Sequence, residues 1–166
     1  MGILIGIGGI SRAGKSKLAE YLKQHLLDAE VINQDNFIKN QSEIPIIKGR
    51  IDWEHPDSID WPALENKISE RLQNQSYTLL EGLFAFHNKK IESQMNLKIQ
   101  LSLDKQRFLD LKKVDKRWGE EPDWFIEHIW QSHLKYGQVK NEANLLKIHN
   151  IDNADYKLIM QEIQNV

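Results

Sequence analysis

An apolar run, Ile3–Ile7, leads directly into Gly9-Ile10-Ser11-Arg12-Ala13-Gly14-Lys15-Ser16, and Leu18, Leu22 and Leu26 then recur at helical spacing. Few sequence features restrict a fold as strongly. Strand, glycine-rich turn and helix in that order match G-x-x-x-x-G-K-[ST] in full, with the flanking elements that the motif requires. Gly9 and Gly14 let the backbone curl until successive N–H groups point inward at phosphate oxygens. The helix that follows adds the positive end of its dipole. Lys15 is then placed for the outer phosphates of ATP and the Ser16 hydroxyl for Mg²⁺. Gly9, Ser11, Arg12, Ala13, Gly14, Lys15, Ser16 and Lys17 are the expected nucleotide-binding residues.

The rest of the chain alternates short β-rich runs with helical patterns. Strands are expected at Ile3–Ile7, Val31–Ile32, Tyr77–Leu80, Leu97–Leu103 and Leu146–Ile151. Helices are expected from Lys15 to Leu27, after an Asp60 N-cap with Leu64, Ile68 and Leu72 on one face, and over Asp104–Lys116, Trp124–Tyr136 and Ala154–Ile163. Ile38–Asp57 reads as a long loop. This alternation predicts an α/β domain with a parallel sheet, and with the phosphate loop the expected fold is an α/β P-loop NTPase: a three-layer sandwich with a five-stranded parallel sheet and helices on both faces. A length of 166 residues suits one domain spanning 1–166, with a substrate loop at about 38–60 and a lid at about 104–120. Ligands of such sheets lie beyond the carboxyl ends of the strands.

Composition narrows the function classes. Twenty-two Lys and Arg against 24 Asp and Glu leave a formal net charge of -2, which argues against a nucleic-acid binder. The opening apolar run is too short to span a membrane, and no membrane partner is expected. The absence of cysteine removes thiolate chemistry and fits a reducing, cytoplasmic setting. The histidines suggest no metal site: His128 and His133 are five apart on a helix and face different ways, while His25 reads as a partly buried helix-face residue. Either a monomer or a homo-oligomer is compatible with this composition.

Among nucleotide-binding chemistries, a guanine-specific GTPase would carry D-x-x-G and N-K-x-D, and neither occurs. A motor ATPase would end its third strand in Asp, where Leu79-Leu80-Glu81-Gly82 stands instead. The second strand ends on Asp35, the kind of group a small-molecule kinase needs to accept the proton of an attacking hydroxyl. After the fourth strand, 104–117 holds six cations and three acids. A basic lid there would neutralise charge on a transferred phosphoryl group, with Arg117 and Lys113 its foremost candidates.

Five stretches resemble the uridine kinase-like branch of P-loop kinases, and within it the nicotinamide riboside kinases: the GISRAGKS loop, Val31–Lys39, Trp53–Asp60, Leu79–Phe86 and His128–Tyr136. The resemblance implies a kinase acting on the 5′-hydroxyl of a ribonucleoside, nicotinamide riboside-like first and uridine or cytidine second. Asp35 would then be the base, and Ser16, Glu81 and Asp35 would surround magnesium. Phe37, Trp53, Glu54 and Trp118 would line the substrate side, with Glu54 on the ribose hydroxyls and the two tryptophans about the base. Glu54 stands where the family has aspartate, and Lys112, Lys113 and Lys116 replace lid arginines, losing bidentate geometry. Two other readings stay open: a kinase of another small alcohol, such as pantothenate or a sugar acid, and a nucleotide-binding regulatory module without catalysis.

Overall fold

A computed structural model describes residues 2–166. Strand β1 (Ile3–Gly9) is central in a five-stranded sheet of order β2-β5-β1-β6-β7, formed with β2 (Ala29–Asn33), β5 (Tyr77–Gly82), β6 (Leu97–Ser102) and β7 (Leu145–His149). Every pairing in it is parallel. The expected α/β three-layer arrangement is what forms.

Alternation along β1 explains the layers. Ile5 and Ile7 enter a core with Leu18 and Leu22 of helix α1 (Lys15–His25) and Ile159 and Ile163 of α6 (Tyr156–Gln164). Leu4 enters a second core with Leu64, Ile68 and Leu72 of α2 (Trp61–Asn74) and Ile91 of α3 (Lys89–Glu92). On that second face a Cβ at Gly8 would lie 2.2 Å from the Phe86 ring. The glycine-rich strand is thus a bed for Phe86, which is 2 % exposed. Helices α4 (Lys105–Val114) and α5 (Asp123–Tyr136) send Phe108, Phe125 and Ile129 into the first core.

Local chemistry sets the boundaries. Asp60 caps α2 by accepting the Ala63 amide at 3.1 Å, as its position before Pro62 predicts. Helix α4 ends at Val114 rather than Lys116, because Asp115 turns to extended backbone. Strand β7 ends at His149, two residues before the expected Ile151, since Asn150 adopts φ 58 and a 3-10 turn follows. Within the expected long loop, β3 (Ile46–Ile47) and β4 (Arg50–Ile51) pair antiparallel around Lys48 and Gly49, both at positive φ, as a two-residue hairpin turn demands. Helix α3, capped by Asn88, was not expected from the sequence. His25 is exposed rather than partly buried, its ring stacked on Tyr21 at 4.0 Å.

Candidate functional site

The carboxyl ends of β1, β2 and β5 open into a cleft of about 790 Å³. Its floor is the loop between β1 and α1. Gly14, at φ 98, starts α1, and a Cβ there would lie 2.6 Å from Ile151 Cγ2. Both its conformation and its space therefore require glycine. Arg12 also sits at positive φ, 70°, at the tip of the loop. Lys15 folds back so that its Nζ donates to the Ile10 carbonyl at 3.1 Å. Burial lowers the Lys15 pKa, opposed by the charges of Glu81, Asp35 and Glu54.

Two carboxylates flank this loop. The Ser16 hydroxyl lies 3.0 Å from both Glu81 oxygens. Asn33 ties the neighbouring strand ends together: its Nδ2 donates to Glu81 at 2.8 Å, and its Oδ1 accepts the Asp35 amide at 2.8 Å. Burial raises the Glu81 pKa, and nearby Asp35 adds to the rise, while the Ser16 hydrogen bond and Lys15 oppose it. Gly82, next in the chain, leaves room for the buried Gln34 side chain, which accepts the Phe84 amide at 2.9 Å.

The far side of the cleft comes from the 38–60 and 104–121 segments. Trp53 and Trp118 line it at 37 % and 75 % exposure. Glu54 is half-buried, and burial pushes its carboxyl up to about 7, with Asp52, Glu121 and Asp35 adding to the shift and Lys112 opposing it. Lys112 is itself buried and paired with Glu121 at 2.5 Å. Arg117 lines the cleft while bound to Asp115.

Most residues singled out in the sequence converge here: Ser11, Arg12, Gly14, Lys15, Ser16, Lys17, Asp35, Trp53, Glu54, Glu81, Arg117 and Trp118 all line the cleft. Four do not. Gly9 ends β1 against the Leu101 carbonyl, and Ala13 is fully buried with its amide on the Ile10 carbonyl at 3.1 Å. Phe37 packs against the second core. Lys113 is exposed and outside the lining, whereas Lys112, about 100° round the helix, faces in. Arg50, Arg107, Glu121 and Asn33 also line the cleft. Of these, Arg107 belongs to the basic run, but its inward direction depends on helical phase.

Among the described residues, no group of three or more His, Asp or Glu side chains is arranged to hold a metal ion. The Ser16–Glu81 pair, with Asp35 near, is a small set of hard oxygen donors. Such a set suits Mg²⁺, which keeps waters and takes the remaining ligands from substrate phosphates.

No protein-family model matches the chain. It is 27 % identical to mouse (Mus musculus) nicotinamide riboside kinase 1 over 154 residues, covering 81 % of this chain and 78 % of that protein. With the uridine kinase of Mycoplasma genitalium it shares 28 % identity over 145 residues, 70 % of this chain and 68 % of that one. In structure it is similar to thymidylate kinase from Candida albicans, with TM-score 0.61 and 16 % identity, covering 99 % of this chain and 92 % of that one. The homologues of this chain include nicotinamide riboside kinases and uridine kinases, and its fold is that of the P-loop kinases. Kinship and fold are those of an ATP-dependent kinase.

Proposed function

We propose that the chain transfers the γ-phosphoryl group of ATP to the 5′-hydroxyl of a ribonucleoside, nicotinamide riboside-like first and uridine or cytidine second. One observation carries this reading: Asp35 shares a single cleft with the phosphate loop on one side and with Trp53, Glu54 and Trp118 on the other. The loop amides and Lys15 hold the phosphates. Asp35 takes the proton of the acceptor hydroxyl as the new O–P bond forms and the bond from the γ-phosphorus to the β–γ bridging oxygen breaks. A magnesium ion held by Ser16, Glu81 and Asp35 would offset the negative charge of the phosphates. Glu54 accepts hydrogen bonds from the vicinal ribose hydroxyls, and the two tryptophans offer faces to a flat base. Arg117, Arg107 and Lys112 bring positive charge from the lid segment.

A second acceptor class, a small alcohol without a base, is favoured by the 75 % exposure of Trp118. Nucleosides and such alcohols are therefore to be screened together with ATP, with ADP release as the readout. The nucleoside reading expects turnover with a ribonucleoside, and a KM for it that rises in Trp53→Ala and Trp118→Ala. In Asp35→Asn, ATP binding persists and turnover falls by a factor of about 10² or more. Full turnover in that variant would overturn the role of Asp35, and ATP binding without turnover of any acceptor would favour a regulatory module.

A further inference from the structure

Glu54 is fixed in the cleft by groups that belong to a different part of the chain. Asp52, 5 % exposed, takes the Glu54 amide on Oδ1 at 3.1 Å. The same oxygen lies 2.8 Å from Nε2 of His128 on α5. One helical turn further along α5, the Ser132 hydroxyl donates to the Glu54 carbonyl. His128 and Ser132 are four apart and share a helix face, so one rigid surface holds the Glu54 backbone at both its amide and its carbonyl. His128 itself is outside the cleft lining.

We propose that His128 is a positioning residue for acceptor binding. Through Asp52 it holds the 52–54 backbone so that the Glu54 carboxylate meets the acceptor. The other ties lie within the loop itself, the Asp52 amide on the Pro45 carbonyl at 2.7 Å and the Ser58 hydroxyl on the Trp53 carbonyl at 3.3 Å, so the bonds of Asp52 to His128 and of Glu54 to Ser132 are what fasten residues 52–54 to α5. Without the ring N–H, the buried Asp52 carboxyl keeps the Glu54 amide as its remaining partner and loses the link that ties it to α5. The proposal rests on the assignment of Glu54 to the acceptor, and it adds the element that sets where Glu54 lies.

The test compares the unaltered protein with His128→Ala, His128→Gln and Glu54→Gln, by nucleoside kinetics and by amide hydrogen exchange of residues 50–58. His128→Ala is expected to raise the acceptor KM about tenfold and to speed loop exchange about tenfold, with kcat and the KM for ATP changed less than about threefold. His128→Gln keeps an N–H donor and is expected to recover most of both effects. Unchanged loop exchange in His128→Ala would overturn the proposal, and so would faster exchange with an unchanged acceptor KM. If Glu54→Gln leaves the acceptor KM unchanged, or no nucleoside is turned over, the functional reading of Glu54 fails. Loop exchange in His128→Ala and its recovery in His128→Gln then decide by themselves whether His128 anchors the loop.

Discussion

Asp115 holds Arg117 through both ends of one edge of the guanidinium, Nε at 2.8 Å on one carboxylate oxygen and an Nη at 2.6 Å on the other. Hydrogen bonding from Arg117 keeps the Asp115 carboxyl well below the usual carboxylate range. The acid is buried and the arginine is not, so the acid is the fixed point and the arginine the group it aims. Two parallel N–H donors lock the plane of the guanidinium and leave its remaining donors free for the cleft.

From this pairing, Arg117→Lys is expected to lower kcat by about 10²-fold with little change in the KM for ATP, because an ammonium cannot meet Asp115 in the same fork. Asp115→Asn leaves Arg117 charged but loosely aimed, and is expected to lower kcat by about tenfold. Steady-state kinetics on both variants check this. Equal activity of Arg117→Lys and the unaltered protein would remove Arg117 from the transfer step.

Ser16 and Glu81 face each other at 3.0 Å where a magnesium ion bound to phosphates is expected. Removing the hydroxyl or the carboxylate charge would weaken the hold on such an ion and leave the loop amides in place. Ser16→Ala and Glu81→Gln are each expected to raise the magnesium concentration for half-maximal ADP release by about tenfold or more. Chelation is expected to abolish turnover in the unaltered protein. A magnesium dependence identical in all three proteins would contradict this placement.

What could be read from the sequence follows from how far apart the interacting residues lie. The phosphate loop is contiguous, so its chemistry is visible in eight successive letters, and the apolar periods around it mark β1 and α1. Lys112 and Lys113 differ only in helical phase, and the turn at Asp115 that anchors this phase is invisible in composition. Asp52 reads as an ordinary loop acid because its partner, His128, lies 76 residues away. Phe37 follows Asp35 by two residues, yet the 3-10 turn over Gln34–Phe37 sends the two side chains to different surroundings. The β3–β4 hairpin escapes a periodicity search because two-residue strands have no period.

Lys98 tests the packing rather than the chemistry. It is the second residue of β6 at 3 % exposure, 3.5 Å from Glu92, and its Nζ donates to the Asn141 carbonyl. Lys98→Met strands Glu92 in a site with little access to water, and a loss of about 3 kcal/mol in unfolding free energy is expected. Lys98→Met combined with Glu92→Leu removes both charges and is expected to recover most of that loss. Denaturant titrations of the two variants decide it, and equal destabilisation of single and double variants would place the cost elsewhere.

Glu54 combines a proposed task in the ionised form with surroundings that favour the neutral one. Its carboxyl, pushed up by burial to about 7, is largely protonated at pH 5 and largely ionised at pH 8. If the ionised form receives the ribose hydroxyls, kcat/KM for the acceptor rises with pH through about 7 in the protein without acceptor. Glu54→Gln is expected to remove that rise and to lower the plateau. Stability runs the other way. Between the ordinary glutamate value of 4.5 and about 7 the folded state binds more protons at this site than the unfolded state does, so its contribution to stability falls as pH rises across that window. Above the window the loss is complete. Glu54→Gln is therefore expected to melt close to the unaltered protein at pH 4.5 and above it at pH 8, with the gap opening across that interval. Calorimetry at the two pH values measures the gap. Its absence, together with a flat kcat/KM profile in the unaltered protein, would show that Glu54 is ionised throughout.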